Sequence, residues 1–230
     1  MSQLAPGLAT CPGCGATESC TLFSSIDADT IPVQVEAILE GTFEQRTCPA
    51  CGAVHRPEHP MLFVSHARRL WIVMHPMSDR REFASLELAV AGEIAAELAR
   101  AAPIVAERSR GIRPRLVFGQ HMLTEAVRSA WSGVDAALLE CAKLLNFRRN
   151  VQPLMAWGPS EFAFAAFADN GAAICEVRAL PGGARLGEIR LPNDILAEVQ
   201  AIRAELRMRF PELFERAYVS ATRYLVGDAL

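Results

Sequence analysis

The spacing of apolar residues changes several times along the chain and predicts a series of short elements. Between residues 11 and 76, apolar runs such as MLFV and LWIVM are bounded by Pro, His and Arg, which is typical of a small β-rich unit. The stretch FVSHARRLWIV has the pattern of a hairpin. Val35, Ile38 and Leu39 lie at helical spacing before Gly41, so we expect one helix inserted into this unit.

A helical stretch follows the β-rich unit. Asp79 and Glu82 have the spacing of a capping box, which predicts a helix start. The helix should end before Pro103, because a proline sterically disfavours the α conformation of the residue before it. Gly111 and Pro114 then interrupt the pattern, which indicates a helical connector rather than a continuous helix.

Two apolar stripes at helical spacing lie on either side of Gly133. They predict two central amphipathic helices joined by a Ser-Gly turn. The first stripe consists of Phe118, Met122, Leu123, Ala126, Val127, Ala130 and Trp131, and the second of Val134, Ala137, Leu138, Cys141, Leu144 and Leu145.

The C-terminal part predicts a three-stranded antiparallel sheet followed by two helices. The tripeptide DNG at 169–171 is a strong turn signal between two strands, and the strand RLGEIRL follows PGG at 181–183. Asn193 or Asp194 is placed to cap one helix, and residues 211–226 have the pattern of a last helix. The fold class is therefore α+β.

Composition limits the classes of function. The chain has 230 residues, of which 51% are hydrophobic, enough for one large core or two small ones. Residues 1–76 hold four Arg and seven Asp or Glu, the opposite of what phosphate binding requires, so nucleic acid is disfavoured as a partner. No signal-peptide pattern and no apolar run of about 18 residues occurs, so we expect a cytoplasmic protein without a membrane span.

Four of the seven cysteines form two C-x-x-C pairs, Cys11/Cys14 and Cys48/Cys51, each within a CPxCG sequence. In a reducing compartment such pairs indicate metal ligands rather than disulfides. Each pair lets one tight turn present two thiolates, and two turns complete a tetrahedral Zn²⁺ site. The filled coordination sphere leaves no open position, so the predicted ion is structural. Iron in a rubredoxin-like centre is a less favoured alternative.

Glycine and the remaining cysteines support this interpretation. Gly15 and Gly52 follow each pair, where a residue without Cβ can adopt the positive φ that turns backbone N–H groups toward the sulfurs. Cys20, Cys141 and Cys175 lack a partner at this spacing, so we expect them to be buried apolar residues.

The sequence gives little support for a catalytic function. His55 and His59 follow the second pair and are expected to be hydrogen-bond donors beside the site or surface residues, while His66, His75 and His121 are dispersed. The chain has no H-E-x-x-H, no P-loop and no G-x-S-x-G motif. We therefore assign no catalytic residue, no cofactor besides the metal and no evident small-molecule substrate, and we favour a non-enzymatic protein.

Three further motifs accompany the CPxCG pairs: RLVF at 115–118, GVD at 133–135 and KLL at 143–145. With them the chain resembles the bacterial CpXC family over residues 11–147. In that family a paired CPxCG is followed by an aromatic strand, an Arg-hydrophobic-Val-Phe start and a Gly-hydrophobic-Asp helix ending in Lys-Leu-Leu. The resemblance implies that the four paired cysteines are metal ligands, and it implies no particular reaction.

These observations predict a zinc-ribbon-like unit at 1–76, a helical connector at 77–114 and an α+β portion at 115–230. Apolar faces at 82–102 and 211–226 either exceed what one core needs or pack on the three-stranded sheet. The first alternative leads us to expect a protein partner or a homo-oligomer. The favoured function is a zinc-binding interaction protein or accessory subunit of a bacterial complex. The alternatives are a zinc-ribbon nucleic-acid-binding regulator and a thiol-redox or metal-dependent enzyme.

Overall fold

The computed structural model describes residues 2–100, 103–150, 156–180 and 183–225. The chain forms two compact units, Met1–Val127 and Arg128–Leu230. The three-segment division with limits at 76 and 114 stays a prediction.

The first unit contains a mixed sheet and a small ribbon. Its strands within the described residues are β1 (Gln3–Thr10), β2 (Thr17–Asp27), β3 (Arg46–Thr47), β4 (Val54–His55), β5 (Met61–Ser65), β6 (Leu70–His75) and β7 (Pro114–Phe118). Five of them form a sheet in the order β1-β2-β5-β6-β7, whereas β3 and β4 pair only with each other. The β2–β5 and β6–β7 pairs are parallel. The antiparallel β5–β6 pair is the hairpin predicted from FVSHARRLWIV.

Helix α1 (Pro32–Glu40) lies between β2 and β3 in the chain, which confirms the inserted helix. Pro32 occupies the first turn, where its missing N–H has no helical partner to lose. Gly41 ends the helix in the left-handed conformation at φ 76°. Val35 and Ile38 are buried, so the helical spacing in the sequence marks the inward face.

The parallel strands β6 and β7 require a crossover, which consists of a 3-10 helix (Met77–Glu82), α2 (Phe83–Arg100) and α3 (Pro103–Ser109). The predicted cap at Asp79 is wrong, because helical structure begins at Met77, before Asp79. The Glu58 carboxylate accepts the Met77 N–H at 2.7 Å and supplies the acceptor from another segment.

Two helices confirm the central pair predicted around Gly133, α4 (Gly119–Trp131) and α5 (Ala136–Arg149). Gly133 has φ 70° in the turn between them. Asp135 caps α5, since its Oδ1 accepts the N–H groups of Ala137 at 2.9 Å and Leu138 at 3.3 Å.

The second unit contains the predicted three-stranded antiparallel sheet, formed by β8 (Ser160–Phe167), β9 (Ala173–Ala179) and β10 (Arg185–Arg190) in the order β10-β9-β8. Gly171, at φ 83°, lies in the turn between β8 and β9. The PGG turn proposed at 181–183 falls partly on residues outside the described parts. The sheet and α5 share one apolar core that includes Leu139, Phe164, Cys175, Val177 and Ile195.

Four short helices end the described chain: α6 (Ile195–Ala201), α7 (Arg203–Arg209), α8 (Pro211–Glu215) and α9 (Thr222–Leu225). The prediction of one helix over 211–226 is wrong, and residue 226 lies outside the described residues. The chain leaves the helix at Arg216, with ψ 165°, and Tyr218 is completely buried. The Glu140 carboxylate accepts the Ala221 N–H at 2.5 Å, so a tertiary contact replaces the helical hydrogen bond.

None of the helices in the described parts of the chain is long and apolar enough to cross a bilayer.

Candidate metal centre

Each cysteine pair occupies the turn of a β-hairpin. Cys11 and Cys14 lie between β1 and β2, and Cys48 and Cys51 lie between β3 and β4. The two turns have matching backbone hydrogen bonds. Cys11 N–H donates to Ala16 O at 2.8 Å, and Cys48 N–H donates to Ala53 O at 2.8 Å. The same local sequence therefore produces the same loop twice.

The glycine after each pair has the conformation that the sequence predicted. Gly15 and Gly52 both have φ 75°, and each donates its N–H to the carbonyl oxygen of the first cysteine of its own pair at 2.9 Å. Apart from the glycine itself and its two chain neighbours, no described residue has an atom within 4 Å of the position that a Cβ would occupy at either glycine. The requirement for glycine thus comes from the backbone conformation alone.

The two hairpins bring the four sulfurs together, and all four lie within 4.8 Å of one another. The shortest contacts join sulfurs of different hairpins: Cys11 Sγ to Cys51 Sγ and Cys14 Sγ to Cys48 Sγ, each 3.7 Å. Zinc–sulfur bonds of about 2.3 Å in a tetrahedron place the sulfurs roughly 3.8 Å apart. The cluster therefore has the dimensions of a tetrahedral Cys₄ site, and it is consistent with a metal ion such as zinc.

The site has a buried and an exposed side. Cys11 and Cys48, the first cysteine of each pair, are buried, whereas Cys14 and Cys51 are exposed. A metal ion at the centre would therefore lie at the surface end of the two hairpins. Four ligands from two rigid turns would still enclose it.

Neighbouring groups shift the ionisation of Cys11 and Cys51 in opposite directions. The backbone N–H of Cys14 lowers the pKa of Cys11 to about 7, against the opposing effect of burial. At Cys51 the N–H of Ala53 lowers the pKa, but the neighbouring thiols, chiefly Cys14 and Cys11, together with burial raise it to about 12. The Cys11 thiolate thus disfavours the ionisation of Cys51 at neutral pH. A bound cation would offset this repulsion.

The two histidines that follow the second pair lie outside the tetrad. His59 Nε2 contacts Glu44 Oε2 at 2.7 Å, and its Nδ1 contacts Pro60 O at 3.1 Å. Both partners are acceptors, so this arrangement requires the doubly protonated imidazolium. Burial lowers the pKa of His59, but the Glu44 carboxylate outweighs this effect and raises the pKa above its usual value. Glu44 also accepts the Phe23 N–H at 2.7 Å, so the pair links three segments.

The other candidate ligands lie apart from the tetrad. Cys141 and Cys175 are buried, as expected, whereas Cys20 is half-buried and the prediction that it is buried is wrong. His66 Nε2 contacts Ser109 Oγ at 3.1 Å, and His75 contacts Asp79. Within the described residues, the four paired cysteines are the group of three or more Cys, His, Asp or Glu side chains close enough to hold one ion. That they bind a metal stays a prediction.

Sequence reasoning missed two charged pairs, of which one is half-buried and the other is buried. Glu44 and His59 are 15 residues apart, and no periodicity connects them. Glu140 Oε1 accepts from Lys143 Nζ at 2.5 Å, and both side chains are buried. The sequence offered one signal for the Glu140–Lys143 pair. The two residues are three apart on a predicted helix, a spacing at which side chains are neighbours.

A ribbon of two CPxCG hairpins with four adjoining thiols defines a zinc-ribbon-like protein. The model of the CpXC protein family matches residues 9–143, which include all four paired cysteines and more than half of the chain. The chain therefore belongs to the CpXC family. No curated protein and no solved structure shows significant similarity to it.

Proposed function

We propose that the chain binds one structural zinc ion through Cys11, Cys14, Cys48 and Cys51, and that it acts as a non-enzymatic interaction protein or accessory subunit. The tetrad carries the first part of this proposal. Four thiolates at these distances fill a tetrahedral coordination sphere and leave no position for water or substrate.

The four thiolate ligands and the small size of the β3–β4 ribbon both favour zinc as the bound ion. Thiolate ligands select zinc, copper(I) or iron over hard cations such as magnesium and calcium. β3 and β4 are two residues long each, so their own hydrogen bonds hold little of the ribbon in place. A bound zinc ion would supply folding free energy on the order of 10 kcal/mol.

Exposed apolar residues in the first unit support a protein partner. Leu88 of α2 is 69% exposed, and Leu4 and Leu8 of the edge strand β1 are 59% and 67% exposed. Leu4 and Leu8 share one face of a strand whose sequence, QLAPGLAT, carries no charge. Edge strands normally carry charges or are covered, so this one suits an interface. Of the two alternatives for the face at 211–226, burial of Leu213 and Phe214 supports packing into the core.

Binding of nucleic acid has less support. The two loops CPGCG and CPACG contain no basic residue. Arg46, close to the second loop, pairs with Glu18 at 2.6 Å, which neutralises its charge. A phosphate backbone would therefore meet little positive potential at the ribbon.

Metal analysis tests the first part of the proposal. Protein purified without added metal should contain one zinc per chain by native mass spectrometry and elemental analysis. Cys48→Ser should lose the ion, and Cys20→Ser is the matched control that should retain it. One iron per chain would indicate a rubredoxin-like centre instead. Metal-free protein with four reactive paired thiols would contradict the proposal.

Co-purification from the native cell tests the second part. The tagged chain should recover a stoichiometric partner, and Leu88→Asp should abolish that recovery. Met208→Asp replaces an equally exposed apolar residue of the second unit and should leave recovery unchanged. Recovery of the wild-type chain alone as a monomer would contradict the accessory-subunit role.

A further inference from the structure

A cavity of about 660 Å³ lies within the first unit, between the five-stranded sheet and the crossover helices. Its volume falls in the range of roughly 300–1,000 Å³ that small-molecule sites occupy. β2, β5 and β6 form the floor, and α2 and α3 form the opposite wall. The tetrad cysteines are not among its lining residues.

The cavity exists because α2 contacts the sheet through few large side chains. Val90 and Ile94 are the hydrophobic residues of this helix that are fully buried. Ala96, near its C-terminal end, lines the cavity with a single methyl group. Val73 and Leu62, on the sheet side, are therefore only partly covered. The helix leaves a gap over the sheet rather than sealing it.

The lining combines apolar and acidic side chains. Val64 and Trp71 are buried neighbours on the face of the sheet that lines the cavity, and Asp27 is paired with Val64 on that same face. Asp27 is half-buried, and Glu93 is exposed on the helix wall. Glu93 has no ion-pair partner within the described residues. A bound molecule can therefore contact apolar side chains and a carboxylate at the same time.

The charged residues that line the cavity determine which charge a bound molecule should carry. Two carboxylates, Asp27 and Glu93, line the cavity, and the described lining residues include no Lys or Arg. The imidazole of His66 also lines it, and its Nε2 contacts the Ser109 hydroxyl. The indole ring of Trp71 adds an aromatic surface, which favours organic cations further.

We infer that this cavity binds a small amphiphile with an apolar chain or ring and one ammonium group. The apolar part lies on Val64, Trp71 and Val73, and the ammonium group lies between Asp27 and Glu93. This site is independent of the proposed metal and partner functions. The zinc-loaded protein can therefore bind the amphiphile whether or not a protein partner exists.

Calorimetric titration of the metal-loaded full chain with n-octylammonium chloride tests the inference, with sodium octanoate and 1-octanol as matched probes. We expect saturable one-to-one binding of octylammonium, and binding of octanoate weaker by about tenfold or more. Octanoate or octanol binding as tightly as octylammonium would overturn the inference, as would heat that does not saturate.

Variants locate the site. Glu93→Gln should weaken octylammonium binding by about 2- to 5-fold, and adding Asp27→Asn should weaken it further. Glu107→Gln removes the same charge from an exposed position of α3 outside the lining and should change nothing. Val73→Phe places a larger residue, which strands accept, on the apolar surface of the cavity and should weaken binding without loss of thermal stability. Unchanged affinity in Val73→Phe or in the double variant would overturn the inference.

Discussion

The two units of this protein are stabilised in different ways. The metal end of the first unit consists of two loops and a pair of two-residue strands, with four thiols where a larger unit would have an apolar core. The second unit has a continuous apolar core that joins β8, β9, α5 and the later helices, with the Glu140–Lys143 pair buried nearby. With the proposed zinc ion bound, the first region would depend on the coordination of that ion, whereas the second depends on the exclusion of water. Each should therefore respond to a different perturbation.

Removal of the metal should have the largest effect and should separate the two regions. Chelation, or Cys48→Ser, removes folding free energy on the order of 10 kcal/mol from the ribbon. Hydrogen exchange measured by mass spectrometry should show lost protection in both hairpin loops and in β3 and β4. Protection in β8 to β10 should be retained. An equal loss across both units would refute this division.

Loss of the buried Glu140 carboxylate should destabilise the second unit without changing the metal content of the first. Glu140→Ala removes the partner of Lys143 Nζ and the acceptor of the Ala221 N–H, which should cost about 3–5 kcal/mol. Urea denaturation measures this change, and zinc content should not alter. Glu140→Gln keeps an acceptor for Ala221 and should cost less. A loss in Glu140→Ala below about 1 kcal/mol would contradict the prediction.

The Glu44–His59 pair should make the stability of the first unit depend on pH. The pKa of His59 is raised in the folded state, so its contribution is complete below the unfolded value, near 6.5, and is lost as pH rises through the folded value. Between pH 6 and pH 9, zinc-loaded wild type should lose more stability than zinc-loaded His59→Gln. If the denaturation midpoints of the two proteins changed by the same amount between pH 6 and pH 9, the prediction would be contradicted.

Substitution of the two loop glycines should cause the smallest loss of stability. Gly15→Ala and Gly52→Ala should each cost about 1 kcal/mol, because an L residue at φ 75° is strained although space is available. Gly15→Asn should cost less, since Asn adopts this conformation more readily. Thermal unfolding of the zinc-loaded variants measures the differences. Alanine variants as stable as wild type would show that the loops relax without penalty.

Local features of the fold were predictable from sequence, and long-range ones were not. Each CPxCG loop is determined within five residues, so the conformation of its glycine followed from the local sequence. The approach of the two loops is the exception among long-range features, and it was predicted because two pairs of thiolates complete one tetrahedral site. The break at Arg216 depends on Glu140, which lies 81 residues from Ala221. The Glu44–His59 pair and the parallel pairing of β2 with β5 likewise depend on segments that meet only after folding.

The pairing of sulfurs between hairpins has a consequence for biosynthesis. Cys11 contacts Cys51 and Cys14 contacts Cys48, so each short contact spans 40 or 34 residues. While the ribosome is still extending the polypeptide toward residue 51, the first loop presents a two-sulfur half-site. That half-site is exposed to oxidants and to competing ions until the second loop emerges. The complete group of four thiols therefore cannot form before residue 51 has been synthesised.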